Sequence, residues 1–278
     1  MTPLEYHLLD VFTDKPFAGN GLAVFVDPPP LAAAQMQALA RELNLSETVF
    51  VARPVSGDAW PTRIFTPSVE LPFAGHPTVG TAVLLAELGL VKESVVLREG
   101  VGDVVCELAD GRATFTAAQL PERFDVAAPE ALAAAVGLTA NDLHPSFSTA
   151  GFNCGVPFAF IPVRDRAAVS RSKAIGGGLG LQFYVAAPLD DTFTRWHARM
   201  YATEFGIAED PATGSAAAAF AGVLADLDVS SVTIDQGVEM GRPSRLFVNL
   251  VRDSHGGLTE VRVGGHAVVV GGGRLLTP

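Results

Sequence analysis

Two stretches of the chain pair a titratable side chain with a proline just ahead of an apolar run. They are Gly75-His76-Pro77-Thr78-Val79-Gly80-Thr81-Ala82 and Glu209-Asp210-Pro211-Ala212-Thr213-Gly214-Ser215-Ala216. Proline favours the first helical position, which places His76 and Asp210 at N-caps. The unpaired N–H groups of a helix start point outward and attract anions. Gly80 and Gly214, one turn inside, weaken a helix and imply that another backbone or a ligand comes close. Two such starts facing one cleft would hold a carboxylate substrate and an enolate-like intermediate without metal or cofactor. A third candidate, Glu47, stands where a helical run gives way to a strand, a junction from which side chains commonly reach a cleft. Each residue also has a plainer reading. Asp210 fits an ordinary N-cap, His76 a satisfied, partly buried histidine, and Glu47 alone a solvated charge.

The elements that must position these residues can be read from periodicity and breakers. Tyr6–Phe12 and Leu22–Val26 are β-rich, with a glycine turn at Phe17-Ala18-Gly19-Asn20-Gly21 between them. Met36, Leu39, Ala40 and Leu43 fall on one face of a helix that follows three prolines. Glu47–Val51 and Arg63–Phe65 read as strands, and the run after His76 as an apolar helix closed near Gly89. The Ala-rich helix after Asp210 is expected to end near Asp226. Arg63-Ile64-Phe65 before the first helix and Arg199-Met200-Tyr201 before the second complete two similar passages, half a chain apart. That interval suggests a duplication into two similar lobes. Pro121–Pro129 is the least patterned stretch, so the lobes are expected at 1–124 and 125–278, with the last strands packing back on the first lobe. A short helix is expected from Pro129 to Val136. Ser244–Val251, Leu258–Val263 and Ala267–Val270 read as hairpin strands.

Composition excludes several classes. With 49% hydrophobic and 18% charged residues in 278, the chain is core-forming and not disordered. A formal charge of −11 argues against binding nucleic acid or an acidic membrane, although a small anionic substrate remains compatible. No apolar stretch reaches the roughly 20 residues of a membrane span, and the start lacks a leader pattern, so a cytoplasmic setting is expected. Gly176-Gly177-Gly178-Leu179-Gly180 precedes a strand-like run, whereas a dinucleotide fingerprint follows one, so it reads as a loop. The histidines are dispersed and give no metal-ligand spacing. Cys106 and Cys154 are too few for a disulfide scaffold, and Cys154 reads as a small buried hydrophobe.

Five passages in this order resemble the signatures of the phenazine-biosynthesis-like (PhzF-like) isomerase family. They are Phe17-Ala18-Gly19-Asn20, Ser46-Glu47-Thr48-Val49-Phe50, Gly75 to Gly80, Glu209 to Ala216, and Gln236-Gly237-Val238-Glu239-Met240-Gly241-Arg242-Pro243-Ser244. The resemblance implies an α+β fold of the diaminopimelate-epimerase-like kind, two similar lobes, each a curved sheet or barrel around a central helix, with the active site between them. It implies cofactor-independent proton transfer on a small carboxylate, no metal, and a homodimer. Glu47 is then the acid/base that shuttles the proton, with His76 and Asp210 assisting. Asn20, Ser46, Gly75, Gly214 and Ser215 are expected to bind substrate. The family has proline where this chain has Gly21, which is expected to leave that loop freer.

Racemases of the same fold use two opposed thiols. This chain has Ala74 and Asp210-Pro211 where those motifs carry cysteine, which excludes the two-thiol chemistry. The alternatives that stay open are a non-thiol epimerase of an amino-acid-like substrate and a non-catalytic protein that binds a small molecule in the same cleft.

Overall fold

The computed structural model describes residues 3–278, so the first two residues of the start read above for a leader lie outside the described residues. The chain forms two compact units. The first runs to Thr116 and takes in Gly264–Pro278, and the second is Ala117–Val263. Among the described residues no helix is long and apolar enough to cross a membrane.

In the first unit the elements are β1 (Pro3–Val11), β2 (Asn20–Val26), α1 (Ala33–Leu43), β3 (Glu47–Val51), β4 (Ala59–Phe65), β5 (Glu70–Leu71), α2 (Gly75–Glu87), β6 (Ser94–Glu99), β7 (Gly102–Ala109) and β8 (Arg112–Thr116). In the second they are β9 (Glu122–Phe124), α3 (Pro129–Ala135), β10 (Ala150–Asn153), β11 (Pro157–Pro162), α4 (Arg166–Arg171), β12 (Gln182–Pro188), β13 (Arg195–Ala202), β14 (Ile207–Asp210), α5 (Gly214–Phe220), β15 (Ser231–Gln236) and β16 (Ser244–Arg252). Strand β17 (Leu258–Leu276) begins in the second unit and ends in the first. The α+β class expected from the motifs is the one observed.

The first unit is a closed barrel of eight strands, in which β1, β2, β3, β4, β6, β7, β8 and β17 pair in a ring. Helix α2 runs inside it and is buried from Gly75 to Leu85, because an apolar sequence on every side leaves no face for solvent. Gly80 is the residue that lets it fit. A Cβ there would stand 2.6 Å from Leu22 Cδ2 and 2.7 Å from Val11 Cγ2. Outside the barrel, amphipathic α1 buries Met36, Leu39 and Ala40 against Phe25, Phe50 and Phe65.

The second unit repeats this order of elements. Strands β10 to β13, then β15 and β16, form one sheet, with β9 paired on β10 and β14 on β13. Alternate residues serve opposite faces. Phe160, Tyr184 and Trp196 pack on Phe220 of α5, while Ala159, Ile161, Phe183 and Val185 pack against α3 and α4. Both passages with the Arg-apolar-aromatic start keep their local chemistry. Arg63 and Arg199 each lie 5.2 Å from the ring of the aromatic two residues on, and each pairs with a glutamate of the next strand, Glu70 and Glu209 respectively.

Two expectations are corrected. The tail is not a run of short hairpins beyond Leu258 but one strand of 19 residues. Gly264 serves close approach instead of a turn, since a Cβ there would lie 2.7 Å from Ala113 O and 2.3 Å from Thr114 Oγ1. Helix α5 stops at Phe220, well short of Asp226. The following amides bond three residues back (Gly222 N to Ala219 O, Val223 N to Phe220 O), and the Gly222 backbone is pressed against the Phe152 ring.

The glycine argument is testable within β17. Gly264→Ala is expected to lower stability by about 1–3 kcal/mol through overpacking, seen as a lower denaturant midpoint at unchanged slope. Gly271→Ala, where nothing lies within 4 Å of the added methyl, should be neutral or slightly stabilising.

Candidate active site

Four of the expected residues form one polar chain in the first unit. Glu47 opens β3 and Asn20 opens β2, and these strands run parallel with Leu22 opposite Glu47. Ser46 Oγ donates to Asn20 Oδ1 at 3.2 Å, and Asn20 Nδ2 lies 3.4 Å from His76 Nδ1. The other imidazole nitrogen, Nε2, lies 3.3 Å from Glu47 Oε2. Asn20 and His76 are buried, whereas the Glu47 side chain keeps 15% of its exposure. Gly75 is the first residue of α2, immediately before His76.

The approach to Asn20 is fixed by a tight loop. Phe17 N donates to Asp10 Oδ2 at 2.6 Å, and Gly19 adopts φ +64° with its α-carbon so close to Val11 O that a Cβ would lie 2.3 Å away. Gly21 does not loosen this loop as expected. It lies within β2, opposite Asp10 of β1, where the ladder holds it.

His76 is not the N-cap. Ala74 caps α2 and His76 sits in its first turn. Pro77 is accommodated there because first-turn amides have no carbonyl four residues back to bond. Burial pushes the imidazole from 6.5 down to about 3, with a hydrogen bond to the Gly21 backbone offsetting a small part. The ring is therefore neutral at physiological pH, with one donor and one acceptor nitrogen.

In the second unit Asp210 is likewise not an N-cap. It ends β14, paired with Met200 of β13, and Thr213 caps α5. The ladder holds the Asp210 backbone in a strand, and the turn begins only at Pro211. Thr213 Oγ1 donates to Asp210 Oδ2 at 2.6 Å. Gln236, fully buried, donates from Nε2 to Asp210 O at 2.8 Å and to Thr213 Oγ1 at 3.0 Å, and accepts from Tyr184 OH at 3.2 Å. Burial and the nearby Asp210 charge push the Tyr184 hydroxyl well above its ordinary range. Gly214 opens α5 and is buried, and Ser215 follows it half-buried. Sequence reasoning passed over Thr213 and Gln236 as site residues. Their signal was present, since each lies inside one of the five motifs.

The structure thus brings Asn20, Ser46, Glu47, Gly75 and His76 together in the first unit, and Asp210, Gly214 and Ser215 together in the second. Among the described residues no three His, Cys, Asp or Glu side chains gather to hold a metal ion. Cys154 Sγ is tied to Gln119 O at 2.9 Å and Cys106 is fully buried.

The family model described as Phenazine biosynthesis-like protein matches residues 9–273. An uncharacterized isomerase of Mesorhizobium japonicum is 41% identical over 301 aligned positions, which cover 99% of each chain. The trans-2,3-dihydro-3-hydroxyanthranilate isomerase of Pseudomonas aeruginosa is 36% identical across 87% of this chain and 89% of its own. The crystal structure of a PhzF-family phenazine biosynthesis protein from Bacillus anthracis superposes with a TM-score of 0.89 at 25% identity, over 99% of this chain and 100% of that one. The chain belongs to the phenazine biosynthesis-like protein family.

Proposed function

We propose that this protein is an isomerase that moves a proton on a small unsaturated or cyclic carboxylate, with Glu47 as the acid/base. The observation that carries the reading is the contact between the partly exposed Glu47 carboxylate and the buried, neutral imidazole of His76. The names of the relatives, isomerases among them, support the reaction type, and the Pseudomonas aeruginosa relative supports a cyclic carboxylate as substrate class. The motif resemblance to the family supports a homodimer, and the sequence pattern a cytoplasmic setting.

Glu47 takes a proton from one substrate carbon as carboxylate and returns it to another as acid. With Nδ1 accepting from Asn20, the single ring hydrogen stands on Nε2, from which His76 orients the carboxylate. Because the ring resists protonation, it does not compete for the moving proton. Asn20, itself held by Ser46, fixes the ring from the Nδ1 side. Asp210, oriented by Thr213 and Gln236, accepts a hydrogen bond from a polar group of the substrate, while Gly75, Gly214 and Ser215 contribute binding groups at the helix starts.

The test is solvent-deuterium incorporation into trans-2,3-dihydro-3-hydroxyanthranilate and related small carboxylates. Glu47→Gln should leave ligand affinity within about tenfold while lowering incorporation by about 10²–10⁴-fold. Full incorporation by a folded Glu47→Gln protein would overturn the role assigned to this residue. Asp210→Ala should instead weaken binding, raising KM by roughly 10–100-fold, because a half-buried charged acceptor is removed.

The neutral His76 also predicts an acid sensitivity. Unfolded chain takes up this proton near 6.5 and folded chain only near 3, so the unfolded state binds more protons in between. Stability contributed by the group is present above 6.5 and lost as pH falls toward 3. At about pH 5 the deficit is on the order of 2 kcal/mol. Denaturant midpoints at about pH 7 and pH 5 should therefore fall further for wild type than for His76→Gln.

A further inference from the structure

The segment that carries Gly75 and His76 is gripped from one corner of the barrel, the turn between β6 and β7. Gly100 lies so close to the segment that a Cβ would stand 2.7 Å from Pro72 Cα, and Val101 N donates to Pro72 O at 3.0 Å. The residue before, Glu99, reaches Thr78, two residues after His76 in the first turn of α2. Thr78 Oγ1 lies 2.8 Å from Glu99 Oε1 and also 2.8 Å from Ala74 O. A hydroxyl carries a single hydrogen, and the Ala74 carbonyl can only accept. One hydrogen cannot serve both contacts at once, and only the Glu99 carboxyl, in its acid form, can supply the second. We propose that Glu99 is held as a neutral carboxylic acid that donates to Thr78, and is thereby a positioning residue for His76. This inference rests on the isomerase reading above.

The surroundings fit a neutral group. Glu99 is 6% exposed, and its Oε2 has no hydrogen-bond partner among the described residues, a costly position for a charged oxygen. Of the titratable groups on the elements around it, Cys106 of β7 is fully buried and adds no positive charge. Its thiol is pushed up by burial and further by Glu99. Arg98 of β6 and Asp103 of β7 pair with each other on the exposed face, and Arg63 of β4 is spent on Glu70. Glu87 at the far end of α2 and Glu107 of β7 are exposed, and His76 faces Glu47. Burial pushes the Glu99 carboxyl from 4.5 up to about 8, even with Thr78 allowed to donate to its ionised form. Once ionised, Glu99 cannot donate. The Thr78 hydroxyl must then turn toward it, and Ala74 O keeps only the Thr78 amide at 3.2 Å.

The test compares Glu99→Gln, which donates at every pH, with wild type. With trans-2,3-dihydro-3-hydroxyanthranilate as probe, wild-type kcat/KM should fall at least about fivefold between about pH 7 and pH 9.5, and Glu99→Gln less than about twofold. Identical alkaline limbs would overturn the proposal. Glu99→Leu, without a donor, should be impaired throughout. If it fails to fold, Thr78→Val and Thr78→Ser replace it, with serine expected to retain activity and valine to lose it. An arm without substrate separates this proposal from the isomerase reading. The protection of the Thr78 and Val79 amides against exchange, relative to the intrinsic rate at each pH, should fall above about pH 8 in wild type and not in Glu99→Gln. That pattern alongside no deuterium incorporation by the wild type into any of the small carboxylates would sink the isomerase reading and leave the positioning of α2 standing. Equal exchange in the two proteins would sink the Glu99 proposal alone.

Discussion

A helix enclosed by a closed barrel has no solvent side, and the chemistry of the first unit follows from that constraint. Helix α2 is buried from Gly75 to Leu85, so each polar group on its first turn must be satisfied by protein. The first-turn amides lack intrahelical carbonyls, and proline at position 77 removes one of them at no cost. Thr78 closes back on Ala74, and His76 takes the Gly21 backbone, Asn20 and Glu47 as neighbours. Enclosure also denies the imidazole its charge. A histidine exposed on a surface would titrate near neutrality and trade protons with solvent; this one stays neutral and acts only as donor or acceptor. The geometry of this polar chain is a consequence of packing a helix with polar first-turn residues where water cannot help.

The second unit solves the corresponding problem with different groups. Element order is retained, down to an arginine stacked on an aromatic ring and clamped to a glutamate of the next strand. The clamps differ in environment. Arg63 and Glu70 keep 37% and 42% of their side-chain exposure, where such a pair contributes roughly 0–1 kcal/mol. Arg199 and Glu209 keep 13% and 15%, and Arg199 also donates to Ser172 O, so this pair fixes the strand that ends in Asp210. Asp210 is then oriented by Thr213 and Gln236 and not by a helix end. The titratable groups proposed for the site sit at different points of the two units, on α2 in one and at the end of a strand in the other.

What the sequence made legible divides along physical lines. Strand β3 and amphipathic α1 were readable because one has a short apolar β-branched run and the other a one-sided stripe. The five motifs were legible because they are local strings, and each contributes a residue to one of the two polar clusters. The caps were misplaced because proline tolerates any first-turn position, and only the ladder decides that Asp210 stays in a strand. Glycine misled in the tail for a related reason. Gly264 marks a close approach to Ala113 and Thr114, and nothing in the string distinguishes that from a turn. Glu99 was invisible, since Arg98-Glu99-Gly100 reads as a solvated hairpin corner, and only the barrel turns that glutamate inward.

The thiols complete the argument about which groups can exchange protons near neutral pH. Burial pushes Cys154 up to about 11 and Cys106 beyond any useful range, so both remain protonated. Neither opens a helix, and Cys154 spends its sulfur on Gln119 O. Tyr184 and Tyr201 are driven the same way by burial. His76 is driven in the opposite direction and holds its neutral form just as firmly. Enclosure thus fixes the thiols, these two phenols and the site imidazole in their uncharged forms. Within the polar chain of Ser46, Asn20, His76 and Glu47, the serine and the amide do not titrate in this range and the imidazole is held neutral. The one carboxyl group in that chain, Glu47, keeps 15% of its side-chain exposure, which is what the proposed acid/base role requires.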